Sequence, residues 1–155
     1  GPGPAAVCAT FHWGSPLVPL VIWSEAEAGI RHHGRDAYPH ECCGALIGHD
    51  RVVTETMALP NTTAEGPRRR FLVRPDDYQA AERRASELQA ELLGFYHSHP
   101  DSPARPSQYD LDHAWPVFAY VIVAVTAGQP AEMTSWRLRR DRSTFDEEEI
   151  AIGAR

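Results

Sequence analysis

The sequence contains no lysine, because all fifteen of its basic residues are arginine. No side-chain amine of this chain can therefore accept a modifier through an isopeptide bond. Acidic residues outnumber basic ones, and the net charge at neutral pH is -6. This balance gives no reason to expect nucleic acid or an acidic membrane surface as a partner, since both repel a negatively charged protein.

Cysteines and long apolar runs are also scarce. The three cysteines, Cys8, Cys42 and Cys43, do not make a disulfide framework, since adjacent cysteines bridge only with strain. No Cys-x-x-Cys pair occurs, which argues against a cysteine-based structural zinc site. No apolar run approaches the roughly 20 residues that cross a bilayer. Residues 17–23 are too short for a secretory signal and contain Pro19, so we expect a cytoplasmic protein.

The length of 155 residues suits one domain, which at this size buries roughly two thirds of its surface. Residues 1–15 are rich in glycine, proline and alanine, and we expect a flexible segment there. Residues 16–155 then form a single domain. Strands in clusters with two main helices predict the α+β class, as a layer sandwich in which helices flank a mixed β-sheet. Residues 143–152 fit a strand and a helix equally well.

Local signals place the first elements. Residues 17–23 are predicted to form a strand, and Pro19 favours an edge position because proline cannot donate to a neighbouring strand. Ser24 is expected to be the N-cap of a helix that stops at Gly34. Pro75 opens the longest helix, which is predicted to reach about residue 90.

The segment from Gly94 to Asp110 has the clearest chemical pattern. Residues 92–99 are apolar and aromatic and predict a buried strand. Alternate side chains of a strand share a face, so His97 and His99 project the same way. Two imidazoles side by side make half of a tetrahedral zinc site, although an isolated His-x-His pair is usually unrelated to metal.

A short helix is predicted to follow, from Ser107 to a point before Pro116. One helical turn places Ser107 and Asp110 on the same side, where they can return to the two histidines. Two histidines and one aspartate leave the fourth position of a zinc ion open, which is the arrangement of catalytic sites. Taken alone, Ser107 and Asp110 are better explained as a helix N-cap with a stabilising acid in the first turn than as site residues.

The string His97-Ser98-His99-Pro100 followed by Ser107-x-x-Asp110 resembles the signature of the JAMM (MPN+) metalloproteases. The resemblance extends to the segment of residues 39–48, Pro-His-Glu-Cys-Cys-Gly-Ala-Leu-Ile-Gly, which is similar to the glutamate-bearing segment of the small prokaryotic members. It covers roughly residues 17–136, and it implies the cytidine-deaminase-like JAMM/MPN fold.

The resemblance also implies a role for each motif residue. His97, His99 and Asp110 would bind one zinc ion per chain. Glu41 would be the general acid and base, which spacing alone does not select among twelve glutamates. Ser107 would donate a hydrogen bond to the developing oxyanion, in addition to capping the helix.

Nearby residues compete for these roles. Asp101 follows the strand-ending proline too closely to turn back easily, and Asp112 would point away from Asp110 on a helix. His113 is the third competitor as a metal ligand. Cys43 shares a strand face with Glu41, and we expect it to be a small buried core residue rather than a thiol acting on zinc.

Enzymes that this chain resembles hydrolyse amide bonds just after the C-terminal Gly-Gly of ubiquitin or ubiquitin-like proteins. The small prokaryotic members are associated with ubiquitin-like sulfur-carrier proteins, which are therefore the expected partners. Two alternatives stay open: a non-catalytic MPN scaffold, and a RadC-like zinc protein with a role linked to DNA. A zinc nucleobase deaminase is excluded because its Pro-Cys-x-x-Cys segment is missing.

Overall fold

The computed structural model describes residues 18–61 and 73–154, so the segment of residues 1–15 lies outside the described part. The described residues form three helices and eight strands. The helices are α1 (Ser24–Ala37), α2 (Pro75–Glu87) and α3 (Gln108–His113). The strands are β1 (Leu20–Trp23), β2 (Cys43–His49), β3 (Val52–Leu59), β4 (Glu91–Pro100), β5 (Ala119–Thr126), β6 (Gln129–Leu138), β7 (Phe145–Glu148) and β8 (Ile150–Gly153).

All eight strands join one sheet in the order β7-β6-β5-β4-β2-β3-β1-β8. The sheet is mixed, because β1 runs parallel to β3 and β8 and β4 runs parallel to β5, whereas the other neighbours are antiparallel. The expected α+β architecture is confirmed. None of the helices in the described residues is long and apolar enough to cross a membrane.

The two longer helices cover opposite faces of the sheet. On α1, Ala26, Ile30 and Gly34 recur at intervals of four and are buried with one set of core side chains. On α2, Ala81 and Ala85 pack with the other set. Alternation along β4 therefore assigns each side chain to one helix layer. The histidines of β4 project on the α2 side.

Two expectations about α1 were wrong. Ser24 is the first helical residue and not the N-cap, which is Trp23, and no side chain caps this end. Gly34 lies inside the helix, which continues to Ala37. A Cβ atom at Gly34 would lie 3.1 Å from Cγ2 of Val125, so glycine lets the helix approach the sheet closely. The helix that Pro75 opens was expected to be the longest, but it ends at Glu87 and, with 13 residues, is shorter than α1 with 14.

The predicted edge position of the first strand was also wrong. Pro19 precedes β1, which lies between β3 and β8 and is not an edge strand. The undecided residues 143–152 form two strands, β7 and β8, at opposite edges of the sheet. Only Glu149 separates them, so the sheet curls until its two edges meet there. Buried Glu148 stabilises this junction, since it pairs with Arg51 and accepts a 2.7 Å hydrogen bond from Ser135 Oγ.

Candidate metal-binding active site

The central strand β4 provides two of the candidate metal ligands. It lies between β2 and β5, and both neighbours hold it along most of its length. His97 is 1% exposed and His99 is 8% exposed, and their Nε2 atoms lie 3.1 Å apart. The expected strand and the expected common face of the two histidines are therefore confirmed.

The short helix α3 brings in Asp110. Ser107 is its N-cap: the hydroxyl oxygen of Ser107 accepts from the backbone N–H of Asp110 at 3.1 Å. In return, Oδ2 of Asp110 accepts from the backbone N–H of Ser107 at 2.8 Å. This capping box fixes the carboxylate in one orientation. The interpretation as a helix cap and the interpretation as a site residue therefore both apply to Asp110.

Three donor atoms converge as a result. Asp110 Oδ2 lies 3.3 Å from His97 Nε2 and 3.5 Å from His99 Nε2. Two ligands at about 2.0–2.1 Å from a tetrahedral zinc ion lie about 3.3 Å from each other, which matches all three separations. The residues present therefore fit a zinc ion, and they are the group of metal-ligating side chains found in the described residues.

The orientation of His99 favours a cation at this point. Its Nδ1 donates to the backbone carbonyl of Pro103 at 2.8 Å, which leaves the Nε2 lone pair directed at the other donors. Burial lowers the pKa of His97, against the effect of Asp110. Burial opposes charge on His99 as well, but hydrogen bonds to Asp110 and to the Pro103 carbonyl outweigh it and raise the pKa of His99. Burial also opposes charge on Asp110, but the attraction and hydrogen bond of His97, with the hydrogen bond of His99, hold its pKa well below the usual range.

Glu41 reaches the same place through strand pairing. Ser98 N donates to Cys42 O at 3.1 Å, and Cys42 N donates to Ser98 Oγ at 2.9 Å. These two bonds hold the glutamate-bearing segment beside β4, directly beyond the last paired residues, Cys43 and His97. Glu41 and His99 line the same cavity. Glu41 is 7% exposed, and its charge contributes to the raised pKa of His99.

Ser107 keeps a donor available. Its hydrogen bond with the Asp110 N–H uses a lone pair of Oγ, so the hydroxyl hydrogen can still point elsewhere. The side chain is exposed and lines the same cavity as Glu41 and His99. The structure therefore brings together all five residues that the motifs predicted.

Two cavities adjoin the three converging donors. The first, of about 730 Å³, is called the apolar cavity here, and it contacts His97 and Asp110. Its walls include Val73, Tyr78, Phe95, Trp115, Tyr120 and Phe145. The second, of about 690 Å³, is called the polar cavity, and it contacts His99. Its walls include Glu41, Asp101, Arg105, Ser107, Gln108 and Tyr109.

The competing side chains are engaged elsewhere. Asp101 accepts from Tyr38 Oη at 2.6 Å and from the Ala127 N–H at 2.8 Å. Asp112 is exposed and accepts from Gln108 at 2.8 Å. His113 bonds to the Tyr109 carbonyl and stacks on that ring. None of the three belongs to the converging donors.

Cys43 is a core residue, as expected. Its thiol lies 3.4 Å from the Pro60 carbonyl and 3.7 Å from the Leu59 carbonyl. Burial raises the pKa of Cys43 to about 12, so it stays protonated at neutral pH. The described ligand atoms that converge near His97 do not include its sulfur.

Sequence reasoning missed three residues that shape the site. Ser98 ties the glutamate-bearing segment to β4, and the Pro103 carbonyl orients His99. Arg105 lines the polar cavity. The first had a signal, since a serine between two ligands must face the opposite sheet side. The other two depend on a loop path that no periodicity describes.

Comparisons with known proteins agree with this geometry. The family model for prokaryotic homologs of the JAB domain matches residues 24–139. A desampylase of Haloferax volcanii is 34% identical over 110 residues, which cover 66% of this chain and 78% of the relative. A CysO-cysteine peptidase of Mycobacterium tuberculosis is 27% identical over 120 residues, covering 77% and 82%. The solution structure of a Desulfitobacterium hafniense protein superposes with a TM-score of 0.76 at 30% identity, covering 87% of this chain and 93% of that one.

Proposed function

The chain belongs to the prokaryotic JAB-domain family, and from this premise we propose that it is a zinc-dependent JAMM metallopeptidase. Its substrate would be a ubiquitin-like sulfur-carrier protein, cut at the amide bond after the C-terminal Gly-Gly. One observation carries the proposal: the three donor atoms match the spacing of zinc ligands, and Glu41 and Ser107 line the cavity beside them. Two relatives bear the names desampylase and CysO-cysteine peptidase, which supports a hydrolase of this kind.

His97, His99 and Asp110 would hold one zinc ion per chain, with room for water and substrate. Zinc held there would supply a Lewis acid for the scissile carbonyl group and would make a nearby water molecule more acidic. The Pro103 carbonyl keeps His99 in the tautomer that binds metal. The capping box fixes the orientation of the Asp110 carboxylate.

Glu41 would move the proton. It is buried, lines a cavity together with His99 and carries a carboxylate, so it can accept a proton from the attacking water. The same carboxyl group would then give that proton to the leaving amine as the carbon–nitrogen bond breaks. Water would add to the carbonyl carbon of the terminal glycine, and the products would be the free carrier and a free amine.

Ser107 would stabilise the negative charge that develops on the carbonyl oxygen. Its hydroxyl hydrogen remains available while Oγ accepts from Asp110. One such donor is typically worth about 10²–10³ in rate. The helix cap thus holds both the Ser107 hydroxyl group and the Asp110 carboxylate in place.

The apolar cavity would receive the carrier. A Gly-Gly tail has no side chains, so it can pass close to the zinc ligands, and the residues before it would reach the aromatic walls. Trp115 lines this cavity and is 63% exposed, although its side chain is large and apolar. Exposed apolar patches often mark binding sites for other proteins.

The test pairs zinc analysis with cleavage. A panel of ubiquitin-like carriers extended beyond Gly-Gly is offered to the wild type and to Glu41→Gln, and zinc per chain is measured in both. We expect one zinc per chain in each protein and cleavage by the wild type only, with a loss of about 10²–10⁴ in the variant. Absence of bound zinc would favour the non-catalytic scaffold. Zinc in both proteins without cleavage of any carrier would contradict the proposed substrate class.

A further inference from the structure

Arg105 occupies a loop position that is held rigidly against the metal-binding residues. The Pro103 carbonyl accepts hydrogen bonds from both His99 Nδ1 and Arg105 N, each at 2.8 Å. Ala104 is fully buried, and its carbonyl accepts from Thr134 Oγ1 at 2.6 Å. The backbone of Arg105 is thus anchored on both the sheet and a zinc-ligand histidine, although the segment has no regular secondary structure.

The charge of Arg105 has no carboxylate partner among the described residues. Asp101, the nearest acid along the chain, is occupied by Tyr38 and Ala127. Arg105 is exposed and lines the polar cavity together with Glu41 and Ser107. A rigidly anchored cation beside the reacting groups is therefore available to a ligand.

The position of Glu41 decides which part of the substrate enters the polar cavity. A general acid must contact the atom that it protonates, which in amide hydrolysis is the leaving nitrogen. Since Glu41 lines the polar cavity, the leaving group lies there, and the carrier lies on the side of His97 and Asp110. Arg105 therefore faces the leaving group.

We propose that Arg105 binds the free α-carboxylate of the leaving residue, so that the preferred substrate is a carrier extended by one C-terminal amino acid. This inference rests on the proposed function and deepens it. A guanidinium pairs with a carboxylate through two parallel hydrogen bonds, which gives geometric selectivity as well as affinity. In such a substrate the carboxylate is two bonds from the scissile nitrogen, within the same cavity.

An isopeptide substrate lacks this group. A lysine inside a target protein has its own carboxyl group in a peptide bond, and four methylene groups separate its Cα from the scissile nitrogen. It would therefore offer Arg105 no free carboxylate near the reacting bond. The reaction balances as ordinary hydrolysis in both cases: one water is consumed, the amide bond breaks, and a carrier carboxylate and an amine form. Only the extended carrier would bind more tightly through an ion pair with Arg105.

The test uses matched substrates. A carrier that the wild type cleaves is prepared with one alanine after Gly-Gly, in one form with a free carboxyl group and in another with a carboxamide. The third form carries the carrier on the side-chain amine of a lysine within a peptide. For the wild type we expect kcat/KM to be about tenfold higher for the free acid than for the carboxamide. Arg105→Gln removes this difference by slowing cleavage of the free acid alone, whereas Arg105→Lys retains part of it.

Binding gives a second measurement that does not depend on turnover. On the Glu41→Gln background, the Kd of the free acid should rise about tenfold when Arg105→Gln is added, and the Kd of the carboxamide should not change. Arg140→Gln, at an exposed position outside both cavities, is the matched control and should leave all values unchanged.

Three results would count against the inference. If Arg105→Gln lowers kcat/KM equally for the free acid and the carboxamide, Arg105 supports the loop and does not bind a carboxylate. If Arg105→Gln lowers kcat/KM for neither substrate, Arg105 is a solvated surface residue, and the proposed function would stand. If the wild type cleaves none of the three forms of any carrier, the proposed function fails and this inference fails with it.

Discussion

The apolar cavity and the polar cavity meet at the same three side chains but are built from different kinds of structure. The apolar cavity has several aromatic walls on helices and strands, among them Tyr78, Phe95 and Tyr120. Most walls of the polar cavity belong to two loops, the one before β2 and the one between β4 and α3. The site thus separates a surface suited to binding from groups suited to proton transfer.

This division has a physical reason. Aromatic side chains lose little conformational entropy when a rigid sheet holds them, and they bind a partner by burying apolar surface. Glu41 and Ser107 must contact the reacting atoms at hydrogen-bond distance, so precise positioning matters more for them than a large contact surface. The capping box and the pairing of Cys42 with Ser98 provide those anchors.

The largest expected effect removes one of the three converging donors that the cavities adjoin. Asp110→Asn keeps most of the helix cap, because an amide oxygen can still accept from Ser107 N, but it weakens the metal ligand. We expect zinc affinity to fall more than about 100-fold and cleavage to become undetectable. Zinc content after dialysis and kcat measure this. Asp36→Asn, at an exposed position of α1 outside both cavities, is the control and should behave as wild type.

The next effect concerns the polar cavity alone. Ser107→Gly removes the hydroxyl group and costs only a few tenths of a kcal/mol as a cap. We expect kcat to fall about 10²–10³-fold while zinc content and KM stay close to wild type. Ser107→Ala should reduce kcat equally and should also lower stability by about 1 kcal/mol. Wild-type kcat in Ser107→Gly would leave Ser107 with a capping role only.

The smallest effect concerns the apolar cavity. Trp115→Ala removes an exposed ring from its rim, so the free energy of unfolding should change by less than about 0.5 kcal/mol. We expect KM for a carrier to rise several-fold at unchanged kcat, because a uniform binding contact is lost. A fall in kcat without a change in KM would contradict the separation of binding from chemistry.

The elements that sequence reasoning placed correctly are those with strong local patterns. Alternation along β4 identified the common face of His97 and His99, and the spacing of Ser107 and Asp110 identified the first turn of α3. Predictions that used a single glycine or proline to mark the end or the edge position of an element were wrong. Gly34 was expected to end α1, but its missing Cβ is used for close packing against Val125.

Edge assignments were the other weakness. Pro19 was expected to mark an edge strand, but it lies outside β1. Residues 143–152 contain two short strands that pair with partners at opposite edges. No local pattern distinguishes these pairings, because which strand lies next to which depends on how the whole sheet curls.

The sequence by itself determined the chemistry of the site: which side chains can bind a metal, and that the histidines share a face. These properties depend on residue type and on spacings within one strand or one helical turn. Only the tertiary structure decided that Glu41 lies in one cavity with His99, that Arg105 lines the same cavity, and that a separate apolar cavity contacts His97 and Asp110. Those facts depend on strand register and loop anchoring, which join residues far apart in the chain.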